Sequence, residues 1–203
     1  LGKGASDALP TATGLISAAS VGDPLCLSDS AHTAEFTDMI VICMRGDIGR
    51  VQKSVNVAAQ GAVGFVLIQD APNAGLGGIV GDAFDIPAVA ISDTDGAALL
   101  AWLATGTGHT AQISGVEYLT GEDGEEYADI LSSFSSRGAN RAVDTVVPSL
   151  TAPGVDILAA YTDPDAPNGG DVVGVISGTS MASPHVAGAG ALVMQARPDW
   201  SPA

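Results

Sequence analysis

Only seven of the 203 residues are lysine or arginine. A chain that gripped nucleic acid through its phosphates would need a basic stripe, and seven cations do not build one. The same shortage argues against docking on anionic membranes. With 23 aspartates and glutamates the formal net charge is −16. Aromatic residues are scarce at 4%, and charged residues together reach 15%, against about 25% in an average domain. No apolar run approaches the ~18 residues of a membrane-spanning helix. What the chain does have is glycine, 26 residues, well above the usual share of about 7%. Its apolar fraction is 46%, mostly Ala and Val, enough for a core and too much for a disordered chain. This composition suits close backbone approach and many turns. At roughly 150 residues per domain, the length fits one or two domains.

Cysteine is limited to Cys26 and Cys43. Two readings stand: two buried thiols, or one disulfide closing a loop of about 18 residues and contributing roughly 3 kcal/mol. An acidic, Lys-poor chain fits a secreted protein, where disulfides persist. The chain begins at Leu1 without a leader pattern, as a processed or truncated product also would. Arg197-Pro198-Asp199-Trp200 ends a helical pattern, and Ser201-Pro202-Ala203 reads as the cap and first turn of another. The expectation is a piece of a longer protein.

Residues 1–19 are rich in Gly, Ala, Ser and Thr and read as a connector. Phe36–Cys43 is an apolar, β-branched run, hence a buried strand. Ile48, Val51, Val55, Ala58 and Ala59 recur at helical spacing, with Arg50 and Lys53 off that face. Gly64–Gln69 is a second buried strand, so the segment forms the strand–helix–strand unit of a parallel crossover. The Gly-rich Asp70–Asp85 stretch reads as a loop, followed by a short strand at Ile86–Ser92 with Pro87 at its start or on an edge. Asp93 or Asp95 can cap a helix with Ala98, Leu99, Trp102 and Leu103 on its apolar face, and Thr110–Ile113 is a last strand. Residues 20–116 therefore read as one compact α+β module. Glu117–Glu126 reads as an acidic loop. Beyond it come strand-like Val146–Leu150, Val155–Ala160 and Val172–Ile176, then a long Ala/Gly/Val-rich helix over Ser180–Ala196.

The most specific stretch is Gly178-Thr179-Ser180-Met181-Ala182-Ser183-Pro184-His185-Val186-Ala187-Gly188. An apolar strand enters a glycine turn, and Ser180 falls in the first turn of a helix. That position exposes its hydroxyl, and its backbone N–H is an unused donor beside a partial positive charge. A bare Ser at a helix start is usually only a cap. This eleven-residue string, however, resembles the active-site serine motif of the subtilisin-like serine proteases (subtilases). Ser133-Phe134-Ser135-Ser136-Arg137-Gly138, Leu150-Thr151-Ala152-Pro153-Gly154-Val155-Asp156-Ile157-Leu158 and Trp200-Ser201-Pro202-Ala203 resemble segments of the same family. The resemblance covers about residues 119–203 and implies that Ser180 is the nucleophile. It also implies that His185 is a packed structural residue and not the base.

Residues 20–116 resemble a protease-associated (PA) domain. The resemblance rests on Cys26, Ile40–Gly46, Arg50-Val51, Ala58–Gly64, Ile86–Val89 and Asp93–Gly96 in that order. Many subtilases carry such a domain inserted upstream of the serine motif. The implied fold class is α/β: a compact α+β insert at 20–116, then an incomplete catalytic domain at 117–203 with part of a three-layer parallel sheet and helices.

The resemblance also marks what is missing. The family's Asp and His should precede the PA module, yet His32, His109 and His185 lie in no His-Gly-Thr-His context, and Asp93-Thr94-Asp95-Gly96 only partly mimics the Asp motif. None of Asn56, Asn73, Asn140 or Asn168 has the surroundings of the oxyanion asparagine. Without a base, Ser180 keeps its proton. The implied parent is a secreted serine endopeptidase acting on protein or peptide substrates, with this chain inert by itself. The alternative is a PA interaction module of a pseudo-protease. No cofactor is implied. Glu122–Glu126 with Asp129 offers oxygen ligands for Ca²⁺ but matches no EF-hand spacing, so a solvated acidic face is the simpler reading. Gly75–Gly81 reads as a surface loop, or as one that moves against a substrate. Val186, Leu192, Val193 and Met194 are expected to stay partly uncovered and to drive self-association.

Overall fold

The computed structural model describes residues 2, 4, 6–69, 79, 81–116, 129–132, 134–136, 138–139, 145–160 and 173–201. They fall into two units, Leu1–Ser133 and Phe134–Ala203. The class is α/β, as the sequence implies.

The first unit is built on a five-stranded sheet in the order β4-β3-β2-β1-β5. The strands are β1 (Leu9–Ser17), β2 (Ile40–Met44), β3 (Gly64–Ile68), β4 (Ala88–Ile91) and β5 (Thr110–Ile113). β1 to β4 run parallel, and β5 pairs antiparallel with β1. Every residue of β3 is buried, as is β2 up to Cys43. Strands covered on both faces read as continuous apolar runs, which is why these two are legible in the sequence. Alternate residues serve opposite layers. Val41, Cys43, Phe65 and Leu67 join Phe36, Val57, Ile79 and Phe84 on the side of helix α2 (Arg50–Ala59). Ile40, Ile42, Val66 and Ile68 meet Leu99, Leu100 and Leu103 of helix α3 (Asp93–Leu103). Gly96 lets α3 press onto β3, since a Cβ there would overlap the Ile68 side chain.

Three expectations for this unit need correction. Residues 9–17 are a strand, not a connector. β1 pairs with β2 only over Leu15–Ser17 and with β5 over Leu9–Gly14. Its Thr-Ala-Thr-Gly centre is held by backbone pairing, so no apolar alternation announces it. The strand expected over Phe36–Cys43 starts at Ile40, because Asp38 takes a left-handed φ of 60°. Phe36 instead ends a one-turn helix, α1 (Thr33–Phe36), and is fully buried.

The third concerns α2, whose apolar stripe faces the wrong way. Val51 and Val55 are exposed, while Lys53, Ser54, Asn56 and Val57 are buried. Val57 packs on the sheet, and the rest of the inward face is polar because it holds a loop. Lys53 Nζ donates to the Leu25 carbonyl. Asn56 donates to the carbonyls of Cys26 (2.9 Å) and Leu27 (3.2 Å). Gln60 donates to Ser28 O (2.8 Å) and accepts from His32 N–H (2.6 Å). Four loop carbonyls and one N–H are thus satisfied by three side chains about a helical turn apart. Cys26 and Cys43 form a disulfide, with Cα atoms 5.8 Å apart, that ties the same loop to β2. The bonded reading of the two cysteines is the right one.

α3 carries a reciprocal cap. Ser92 Oγ accepts from Asp95 N–H (3.0 Å) and donates to Asp95 Oδ2 (2.9 Å), so Asp95 takes part and Ser92 is the N-cap. Residues 70–78 and 80 of the Gly-rich loop and the Glu122–Glu126 acidic run lie outside the described residues.

In the second unit β6 (Gly138–Ala139) pairs antiparallel with β7 (Val146–Val147), and β8 (Ile157–Ala160) with β9 (Val173–Ile176). Helix α4 spans Thr179–Ala196. Among the described residues the parallel strands all belong to the first unit, whereas a parallel arrangement was expected around the serine.

Candidate active site

Ser180 is the second residue of α4, immediately after a strand that ends at Ile176. Gly178 is the N-cap. Its carbonyl accepts from Met181 N–H (3.0 Å) and Ala182 N–H (3.4 Å), which starts the helix. The N–H of Ser180 lies in the first turn, where intrahelical acceptors do not exist. Its side chain is exposed, and no acidic residue sits in the first turn to neutralise the helix dipole. Pro184 lies inside α4. Four residues after Ser180, it has no N–H to offer the Ser180 carbonyl. Exposed hydroxyl, unused N–H and positive helix end together suit attack on a carbonyl carbon and stabilisation of the oxyanion that forms.

The turn before the helix is held by the residues that lead into β8. Gly178 N–H donates to Gly154 O (2.8 Å). Asp156 N–H donates to Ser177 Oγ (2.7 Å), and the Ser177 hydroxyl donates to Asp156 Oδ1 (3.2 Å). Sequence reading placed Gly154, Asp156 and Gly178 in family-like segments but gave them no role, and it did not single out Ser177. The one signal was an Asp directly after Gly154-Val155, a residue type that tolerates the left-handed φ of 55° found there.

Among the described residues of this unit, no imidazole approaches Ser180 in the role of base. His185 Nδ1 is engaged with the Met181 carbonyl one turn back (2.8 Å). His185 is exposed, not packed as expected, because no described residue of its unit covers it. The other histidines belong to the first unit and have structural neighbours: His32 lies 5.4 Å from Phe36 and His109 4.3 Å from Trp102, ring to ring. Asn56 spends its amide on the Cys26–Leu27 loop, and Asp93–Gly96 is the first turn of α3. Asn73, Asn140 and Asn168 lie outside the described residues, as do Ser133 and Arg137.

No residue of α4 is buried. Leu192, Val193 and Met194 are 67%, 49% and 61% exposed, as expected from the sequence. Among the described residues, no three of His, Cys, Asp and Glu gather as metal ligands. No described helix is long and apolar enough to cross a membrane. Among the described residues one titration is clearly perturbed. Burial pushes the Lys53 ammonium below the usual lysine range, and the carboxylates of Asp47 and Asp23 draw it partway back.

Comparison with known proteins completes the picture. The family model described as "Subtilase family" matches residues 14–203. The chain is 39% identical over 186 residues to a subtilisin-like protease of Arabidopsis thaliana, SBT1.6, and 37% identical over 194 residues to another, SBT1.3. These alignments cover 88% and 91% of this chain but 24% of each relative. It is also 35% identical over 170 residues to the minor extracellular protease Vpr of Bacillus subtilis (strain 168), covering 82% of this chain and 20% of Vpr. The chain thus spans about a quarter of the length of the curated relatives it matches. With a family model covering nearly all of it, the chain belongs to the subtilase family of serine peptidases.

Proposed function

We propose that this chain is part of a secreted subtilisin-like endopeptidase, with Ser180 as its nucleophile. The observation that carries the reading is the placement of the Gly178–Gly188 motif. A strand delivers Ser180 to the start of a helix with its hydroxyl exposed. In the reaction the Ser180 oxygen attacks the substrate's scissile carbonyl, forming an acyl-enzyme that water then hydrolyses. The Ser180 N–H donates to the oxyanion. The general base and the carboxylate that orients it come from other segments of the longer protein, so the 203 residues alone are inert.

The first unit, as a PA domain spanning about residues 20–116, serves substrate access or protein contact. Since β1 belongs to its sheet, the domain begins nearer Leu9 than residue 20. Other parts of the catalytic domain cover α4, and in their absence the chain self-associates through that helix. The Vpr relative is described as extracellular, and the buried disulfide fits the same compartment. No cofactor or nucleic-acid partner enters this reading.

The test is peptide hydrolysis by the longer protein beside the 203-residue chain. The longer protein is expected to cleave, its Ser180→Ala form and the isolated chain to be silent. A longer protein that binds peptides without cleaving them would favour the interaction-module alternative.

A further inference from the structure

We propose that Asp156 and Ser177 form a latch that positions the turn carrying Ser180, acting on the nucleophile without touching substrate. This rests on the peptidase reading of Ser180. The β8–β9 ladder pairs Ile157 with Ile176, so Asp156 and Ser177 are the next pair across. The ladder cannot continue in the ordinary way, because Asp156 turns out of the strand at φ 55°. The Ser177 side chain takes its place. Its hydroxyl accepts from Asp156 N–H at 2.7 Å and donates to Asp156 Oδ1 at 3.2 Å. One residue further, Gly178 N–H reaches Gly154 O at 2.8 Å. Pairing therefore extends two residues past the strand, up to the helix cap.

The residue types follow from this geometry. Asp tolerates the left-handed backbone and has a carboxylate short enough to meet the hydroxyl. Serine is small, and its hydroxyl both donates and accepts. Gly154 has no space for a side chain: a Cβ there would stand 2.9 Å from Gly178 O and 3.1 Å from the Ala182 Cβ. Ser180 is two residues beyond Gly178 and inherits its position. A small shift of a nucleophile relative to its base lowers the rate of attack more than substrate affinity.

The experiment has two arms. In the longer protein, Ser177→Ala is expected to slow fluorophosphonate labelling of Ser180 about fivefold to tenfold, the scale of one or two lost hydrogen bonds, with peptide KM unchanged. Asp156→Asn keeps the backbone conformation and an acceptor oxygen, and is expected to label near the wild-type rate. In the 203-residue chain, Ser177→Ala is expected to speed amide exchange at Gly178 by a similar factor. Three results would overturn the latch: wild-type labelling by Ser177→Ala, a loss confined to melting temperature or KM, or a Gly178 amide already unprotected in the wild-type chain. Failure of the wild-type longer protein to label would sink the peptidase reading instead, and Gly178 exchange would still decide the latch.

Discussion

The two units have similar ingredients and opposite outcomes. Both are rich in Ala, Gly and Val and poor in charge. In the first, these residues close a sheet between two helices, and β2 and β3 are buried on both faces. In the second, an 18-residue helix of the same composition has no buried residue. The difference teaches that apolar composition alone does not decide whether an element is buried. α2 makes the converse point. Lys53, Ser54 and Asn56 lie inside while Val51 and Val55 lie outside, because beside Val57 this face meets a loop whose carbonyls need donors.

The largest expected effect falls in the second unit. Ser180→Ala should lower peptide hydrolysis by the longer protein about a million-fold, the scale known for loss of the subtilisin serine. Residual activity within a hundredfold of wild type would move the nucleophile elsewhere.

Next comes packing in the first unit. Gly96→Val drives a branched side chain into Ile68 and should cost about 3 kcal/mol or more, read from denaturant unfolding of this unit. Reduction of the Cys26–Cys43 disulfide should cost a comparable amount, about 3 kcal/mol. Neither change should alter the exposure of α4. If both units unfold together at the new midpoint, the contrast between them is lost.

Much of the first unit is legible in the sequence, and the reasons are physical. β2 and β3 announce themselves because burial on two faces leaves no polar residue in the run. β1 does not, since its Thr-Ala-Thr-Gly segment is held by backbone pairing and carries no pattern. The stripe on α2 misleads because periodicity locates a face without telling which side is inside. Ser180 is legible through an eleven-residue match, not through any property of a lone serine. The hold on its turn by Gly154, Asp156 and Ser177 is not legible: it joins residues 21 apart, and one Asp suited to a left-handed backbone is its only local sign.

Smaller effects sharpen the comparison. Lys53 has its proton affinity lowered by burial, below the ordinary lysine value of 10.5. Between the lowered folded value and the unfolded one, the unfolded chain binds the proton more tightly, so stability rises with pH in that alkaline window. Lys53→Met should remove this rise and cost about 1–2 kcal/mol near neutrality by orphaning the Leu25 carbonyl. pH-dependent melting of the two proteins checks both signs. Gly188→Ala is the mildest change. Nothing lies within 4 Å of an added Cβ, so the isolated chain should gain up to about 1 kcal/mol of helix stability, read as helicity on heating. In the longer protein, where α4 is proposed to be covered, the same substitution should lower the melting temperature.

The most direct test of the central claim is covalent labelling with a fluorophosphonate, located by peptide mass spectrometry. The account predicts one label per molecule of the longer protein, on Ser180, and none on the 203-residue chain. A label on another serine of the longer protein, or stoichiometric labelling of the isolated chain, would contradict it.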